Sequence, residues 1–197
     1  MSRYRAKSWR TFDPSAAVAA SPTPRLSAVQ RVRILGLDPG SRRTGFGLVD
    51  CDVAGSVHVA HGFVAGTGTT LSERLRAIFE GIQALLEQHA PDEVAVERVF
   101  VNRNIDSALK LGHARGAALC AVPRTLPVFE YSPRAIKLSV AGFGGAEKLQ
   151  VAQMVRTLLN LQIRIGADAA DALAVAICHA HSRRVHALTR AGGVARR

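Results

Sequence analysis

Acidic residues are scarce in this chain: 15 Asp and Glu stand against 26 Lys and Arg over 197 residues, a formal charge of +11. That balance favours a polyanionic partner, nucleic acid first and anionic membrane second. Long apolar runs are missing, and no basic amphipathic helix with bulky aromatic anchors replaces them, which removes the membrane from the expected partners. Cysteine is equally sparse. Cys51, Cys120 and Cys178 are isolated and follow no C-x-x-C spacing, so neither a zinc ribbon nor a disulfide framework is indicated, and a reducing cytoplasm fits.

Methionine occurs only at Met1 and Met154, which bears on residues 1–30. There Arg3, Arg5, Lys7, Arg10 and Arg25 stand among Ser, Ala and Pro, with Asp13 the single acid. The absence of an apolar stretch excludes a secretory signal, while the Arg- and Ser-rich composition superficially matches an organellar transit peptide. The reading adopted is a disordered basic extension. A misassigned start is the third alternative; it requires a non-standard codon near Val29 or Val32. Residues 31–184 then form the expected folded domain, long enough to bury a core without staples, and 185–197 a basic tail.

What is present alternates. Val32 to Leu37 and Thr44 to Val49 flank a Pro-Gly break and read as a hairpin, and Val57 to Val64 as a third strand. Leu71, Leu75, Ile78, Ile82, Leu85 and Leu86 recur at helical spacing behind a Thr70/Glu73 capping box, and Pro91 ends the helix. Glu93 to Val96 is then a short buried strand, parallel to its neighbour because a helix crosses over to it. Further helices are expected at 106–120, 133–140, 148–159 and 169–183, with a last strand at Leu126 to Phe129. The whole predicts an α/β fold with a mixed five-stranded sheet flanked by helices. Ala108, Gly112 and Gly116 form a row of small residues that admits a second helix, either within the domain or across a subunit boundary.

Two acids end strands: Asp38 before Pro39-Gly40-Ser41, and Glu97 after Val94-Ala95-Val96. Open α/β sheets carry their chemistry at such strand ends. Asp168 and Asp171 lie three apart on the closing helix and share a face, with Leu173 and Ile177 on the opposite side. Singly, each has an ordinary explanation: Asp38 as a turn residue, Asp168 as a helix N-cap, Glu97 as the ion-pair partner of Arg98 or Arg103. Together, four carboxylates repel one another unless cations neutralise them. Hard oxygen ligands suit Mg²⁺, with Mn²⁺ the alternative, and two such ions side by side promote phosphodiester hydrolysis.

Five colinear blocks carry a resemblance. They are ILGLDPGSRRTGFGLV, VAVERVFVNRNIDSALKLGHARG, LPVFEY, GAEKLQVAQMVRTLL and ADAADALAVAICHAH, spanning about Val32 to Ser182. In them the chain resembles the RuvC-type crossover (Holliday) junction endodeoxyribonucleases. The resemblance implies a ribonuclease-H-like fold, and Asp38, Glu97, Asp168 and Asp171 as catalytic acids holding two Mg²⁺ per subunit. It also implies a cytoplasmic homodimer that nicks four-way junction DNA symmetrically in recombination and repair, working with the branch-migration motor proteins of that pathway. Phe100 matches a family aromatic that stacks near the crossover, in a loop with Asn102, Arg103 and Asn104, so Arg103 joins it among the expected DNA-binding residues. Lys137 and Lys148 match family lysines near the DNA. Two positions depart from the pattern, Arg98 and His113, each where the family often has Gln; Arg98 is open to a phosphate or to an influence on Glu97, and His113 is expected to be partly buried.

Two other functions compete. LGLDPGS with Thr44 and Gly45 also resembles the first phosphate motif of actin-like kinases, but those need two related domains and no P-loop is present. A non-catalytic DNA-binding protein would need only the charge, which leaves four positioned acids unexplained.

Overall fold

The computed structural model describes residues 31–98 and 105–193. The expected extension 1–30, Phe100, Arg103 and residues 194–197 lie outside the described residues. Strand β1 (Val32–Asp38) breaks at Pro39 and returns antiparallel as β2 (Arg43–Cys51), and Thr44, fully buried, donates its hydroxyl hydrogen bond to the Gly40 carbonyl at 3.4 Å. Strand β3 (Ser56–Ala65) continues the meander with one bulge opposite Leu48/Val49. Helix α1 (Leu71–His89) starts in the Thr70/Glu73 capping box and ends at Ala90 in the left-handed region, just before Pro91. It leads into β4 (Glu93–Glu97), parallel to β1. After α2 (Ile105–Ala121), strand β5 (Val128–Tyr131) pairs parallel with β4, and α3 (Pro133–Ala141), α4 (Lys148–Leu158) and α5 (Ala167–Gly193) complete the chain.

The sheet is mixed and five-stranded, in the order β3-β2-β1-β4-β5. Side chains alternate across its strands and fill two cores. On one face Leu35, Leu37, Val94 and Val96 meet Ile78 and Ile82 of α1 and Ala114 and Ala118 of α2. On the other, Ile34, Val49 and Ala95 meet Leu173 and Ile177 of α5, backed by Ile136 and Val140 of α3 and Val151 and Val155 of α4. Full burial of each such Leu or Ile is worth roughly 1.5–3 kcal/mol.

Three details depart from the sequence reading. Strand β5 begins at Val128, not Leu126: Leu126 packs into the α1/α2 core, and the Pro127 carbonyl already accepts from the Val94 N–H. Helix α5 starts at Ala167 and runs on to Gly193, so Asp168 sits in its first turn, not at its N-cap. That helix is also not one-sided. Ala169, Ala170 and Ala172 to Ala180 are all buried, because α5 is held between the sheet and α3 with α4.

Candidate active site

Alternation places Ile34, Gly36 and Asp38 of β1 on the α5 face, and Glu93, Ala95 and Glu97 of β4 likewise. The β1/β4 register ends at Leu37 opposite Val96. Asp38 and Glu97 are the next residues on each strand, side by side at the carboxyl end of the sheet.

Glycines bring α5 down to them. A Cβ at Gly36 would lie 2.2 Å from the Ala172 carbonyl oxygen, and one at Gly45, the β2 partner of Asp38, would lie 2.1 Å from that of Asp168. Only a residue without a side chain lets the helix backbone rest on the strands here. The start of α5, with Asp168 in its first turn and Asp171 in the next, is thereby set over the β1/β2 hairpin beside Asp38.

A cavity of about 260 Å³ opens at this end, lined by Asp38, Glu97, Asp171, Lys137 and Lys148 above Ile136 and Val151. Asp168 does not line it, although its charge reaches Asp38. Burial, then the charges of Asp171 and Glu97, raise the Asp38 carboxyl from 3.8 to about 7, with Asp168 adding a smaller push and Lys148 opposing. Glu97 is raised too, by burial and Asp171, and relieved in part by Lys148 and Lys137. Lys148, the first residue of α4, bonds Asp171 Oδ2 through Nζ at 3.0 Å, and that bond raises its own pKa. The site thus holds more negative charge than its lysines offset.

All four acids offer hard oxygens, and burial with neighbouring charge makes the ionised forms of Asp38 and Glu97 costly, so the donor set fits a divalent cation. As the side chains stand, no three His, Cys, Asp or Glu among the described residues converge on one point that could ligate an ion. One Asp171 oxygen is meanwhile taken by Lys148.

Arg98 does not pair with Glu97. It lies 3.5 Å from Glu130 instead, and Glu130 is also bound by Arg115 at 2.9 Å. His113 is exposed on α2, contrary to the expected partial burial, because the buried face of that helix runs through Ala114 and Ala118. Arg115 escapes the sequence reading altogether; nothing in its local spacing distinguishes it from a solvated arginine. No helix among the described residues is long and apolar enough to cross a membrane.

The family model described as crossover junction endodeoxyribonuclease RuvC matches residues 34–179. The crossover junction endodeoxyribonuclease RuvC of Xanthomonas campestris pv. campestris is 55% identical over 155 residues, 77% of this chain and 88% of that protein. That of Xylella fastidiosa is 55% identical over 152 residues, 76% and 88% of the two chains. Among solved structures, Thermus thermophilus RuvC in complex with a Holliday junction substrate superposes with a TM-score of 0.73 at 34% identity, covering 79% of this chain and 96% of that one. The yeast mitochondrial Holliday junction resolvase Ydc2 shares the fold, with a TM-score of 0.57 at 12% identity over 79% of this chain and 82% of its own.

Proposed function

Since the chain belongs to the crossover junction endodeoxyribonuclease RuvC family, we propose that it resolves four-way DNA junctions, with Asp38, Glu97, Asp168 and Asp171 holding the divalent cations its hydrolysis requires. The observation that carries this is the gathering of acids at the end of the sheet, where burial, then the charges of Asp171 and Glu97, raise Asp38 to about 7 in a protein of net charge +11. Bound Mg²⁺ supplies Lewis acidity and a lowered pKa for attacking water. The protein's own contribution is placement. The strand ends fix Asp38 and Glu97, the glycine bed fixes α5, and the low exposure of the cavity floor limits bulk water. Lys137 and Lys148 at the cavity take the phosphate of the strand to be cut. With phosphate bound, Lys148 has an alternative partner to Asp171, which frees that carboxylate as a ligand. Phe100 and Arg103 are the proposed contacts to the junction centre.

Symmetric nicking calls for two sites, and helix α2 offers the surface for a two-fold pairing. Nothing among the described residues lies within 4 Å of a Cβ at Gly112 or Gly116, while Ile105 and Leu109 on the same helix are 72% and 58% exposed. At Gly112 and Gly116 the row therefore has no occupant among the described residues, and the homodimer forms across it. The branch-migration proteins of the pathway are the further proposed partners.

The test is a synthetic four-way junction and a matched linear duplex, each with and without Mg²⁺, and ATP as a third substrate. Paired nicks on the junction alone, dependent on metal and lost in Asp38→Asn while binding survives, are expected. Binding without nicking under any divalent metal would sink the proposal, and ATP turnover would favour the kinase-like alternative.

A further inference from the structure

The peptide unit joining Glu97 to Arg98 is held at both ends. Its N–H, on Arg98, donates to the Tyr131 carbonyl of β5 at 2.7 Å. Its carbonyl, on Glu97, accepts from Arg115 Nε at 3.3 Å. The same guanidinium reaches Glu130 of β5 through its second nitrogen at 2.9 Å, and Arg98 approaches the other Glu130 oxygen at 3.5 Å. Arg115 is only 20% exposed, and it stands on α2 beside the open face that carries Gly112 and Gly116. A planar fork that bonds two groups in fixed directions restrains geometry in a way a lysine cannot.

We infer that Arg115 is a positioning residue for the nuclease reaction: it locks the Glu97–Arg98 peptide and so sets where the Glu97 carboxylate points into the acidic cavity. The inference rests on the proposed function for its catalytic readout. Strand β4 needs such a lock because Glu97 is its last residue, where a strand otherwise frays. Arg115 does not act by charge on that carboxylate; the cations that do are Lys148 and Lys137. Since the fork is mounted on α2, the helix proposed to pair between subunits also braces the site of its own subunit.

The variants are Arg115→Met, which keeps the stem and removes the fork, and Arg115→Lys, which keeps the charge. Lys110→Met, removing an exposed α2 lysine whose ion pair is with Asp106, is the control. Three measurements on the full chain separate the roles: kcat and KM on a four-way junction, Mn²⁺ binding by electron paramagnetic resonance without DNA, and the thermal midpoint. Misplacement of a catalytic group costs roughly 10- to 100-fold in rate, and removing a group that supports a metal ligand from behind costs roughly tenfold in affinity. Arg115→Met is expected to lose kcat in that range with KM unchanged within about twofold, to bind Mn²⁺ about tenfold more weakly, and to stay folded. Arg115→Lys should fall with it and Lys110→Met should match wild type. A folded Arg115→Met with wild-type kcat and Mn²⁺ affinity overturns the inference, as does full rescue by Lys. Wild-type protein that fails to nick junctions would instead overturn the proposed function, and the Mn²⁺ measurement would still decide the brace.

Discussion

Replacing Asp38 by Asn should make the metal-free protein more stable, and only above the acid range. The native carboxyl is raised from 3.8 to about 7, chiefly by burial and by Asp171 and Glu97. A raised acid binds its proton more tightly in the folded state, so its penalty is absent below the unfolded pKa. It grows as pH rises from about 4 to about 7 and is constant beyond. At 1.36 kcal/mol per pH unit the full separation corresponds to an upper limit of about 4 kcal/mol, and relaxation of a partly solvated site brings the expectation to about 2–3 kcal/mol. Asn keeps the shape and never ionises.

In a domain of this size 1 kcal/mol moves the thermal midpoint by roughly 2–4 °C, so the variant should melt about 5–10 °C above wild type at pH 8 in EDTA, and within about 1 °C of it at pH 4. Scanning calorimetry at both pH values measures this directly. Adding Mg²⁺ should then narrow the gap at pH 8: free cation at ten times its Kd stabilises the wild type by about 1.4 kcal/mol and should leave the variant almost unmoved. An equal stabilisation at pH 4 and pH 8 would show that repulsion is not the cause. A variant less stable than wild type at pH 8 in EDTA would refute the electrostatic argument itself.

Gly45→Ala places a methyl group 2.1 Å from the Asp168 carbonyl; it should destabilise by about 2–3 kcal/mol in a thermal melt and reduce nicking further than the residual folded fraction explains, and a variant as stable as wild type would show that this close approach is dispensable. Gly112→Arg should give a monomer by light scattering while raising α2 helix propensity by up to about 1 kcal/mol; a variant that stays dimeric removes α2 from the interface. Lys137→Ala with Lys148→Ala should flatten the slope of log K for junction binding against log salt by about 0.9 for each phosphate no longer neutralised, measured by fluorescence anisotropy, and an unchanged slope would take these lysines off the DNA.

Much of this fold is legible along the chain because its signals are local. The α1 stripe from Leu71 to Leu86 and its Thr70/Glu73 box need only neighbours three or four residues away, and the structure reproduces both. The β1/β2 hairpin and the parallel β4 follow from a Pro-Gly break and a crossover, again local or topological rules. What is not legible depends on partners distant in sequence. The Lys148–Asp171 bond spans 23 positions, and the Arg115 fork joins α2 to β4 and β5. His113 misleads because helical spacing fixes faces relative to one another, and only the packing of α1 says which face is covered.

Helix α5 shows why core and site cannot be separated here. Its apolar and small residues from Ala169 to Ala180 are buried without a solvent face, so a one-sided reading of its pattern has nothing to find apart from the acids at its start. Such a helix must lie close to the sheet, and Gly36 and Gly45 supply the clearance. The same packing that completes the core therefore sets the start of α5 beside Asp38, where it brings carboxylates that repel each other. Packing against α3 and α4 holds that arrangement together in the absence of metal. Substitutions that loosen α5 should then relieve the acid crowding while they erode the core, lowering Asp38 toward its ordinary 3.8 as stability falls. Carbon-13 titration of the Asp38 carboxyl in Gly45→Ala tests this, and a value still near 7 would separate the two roles of the helix.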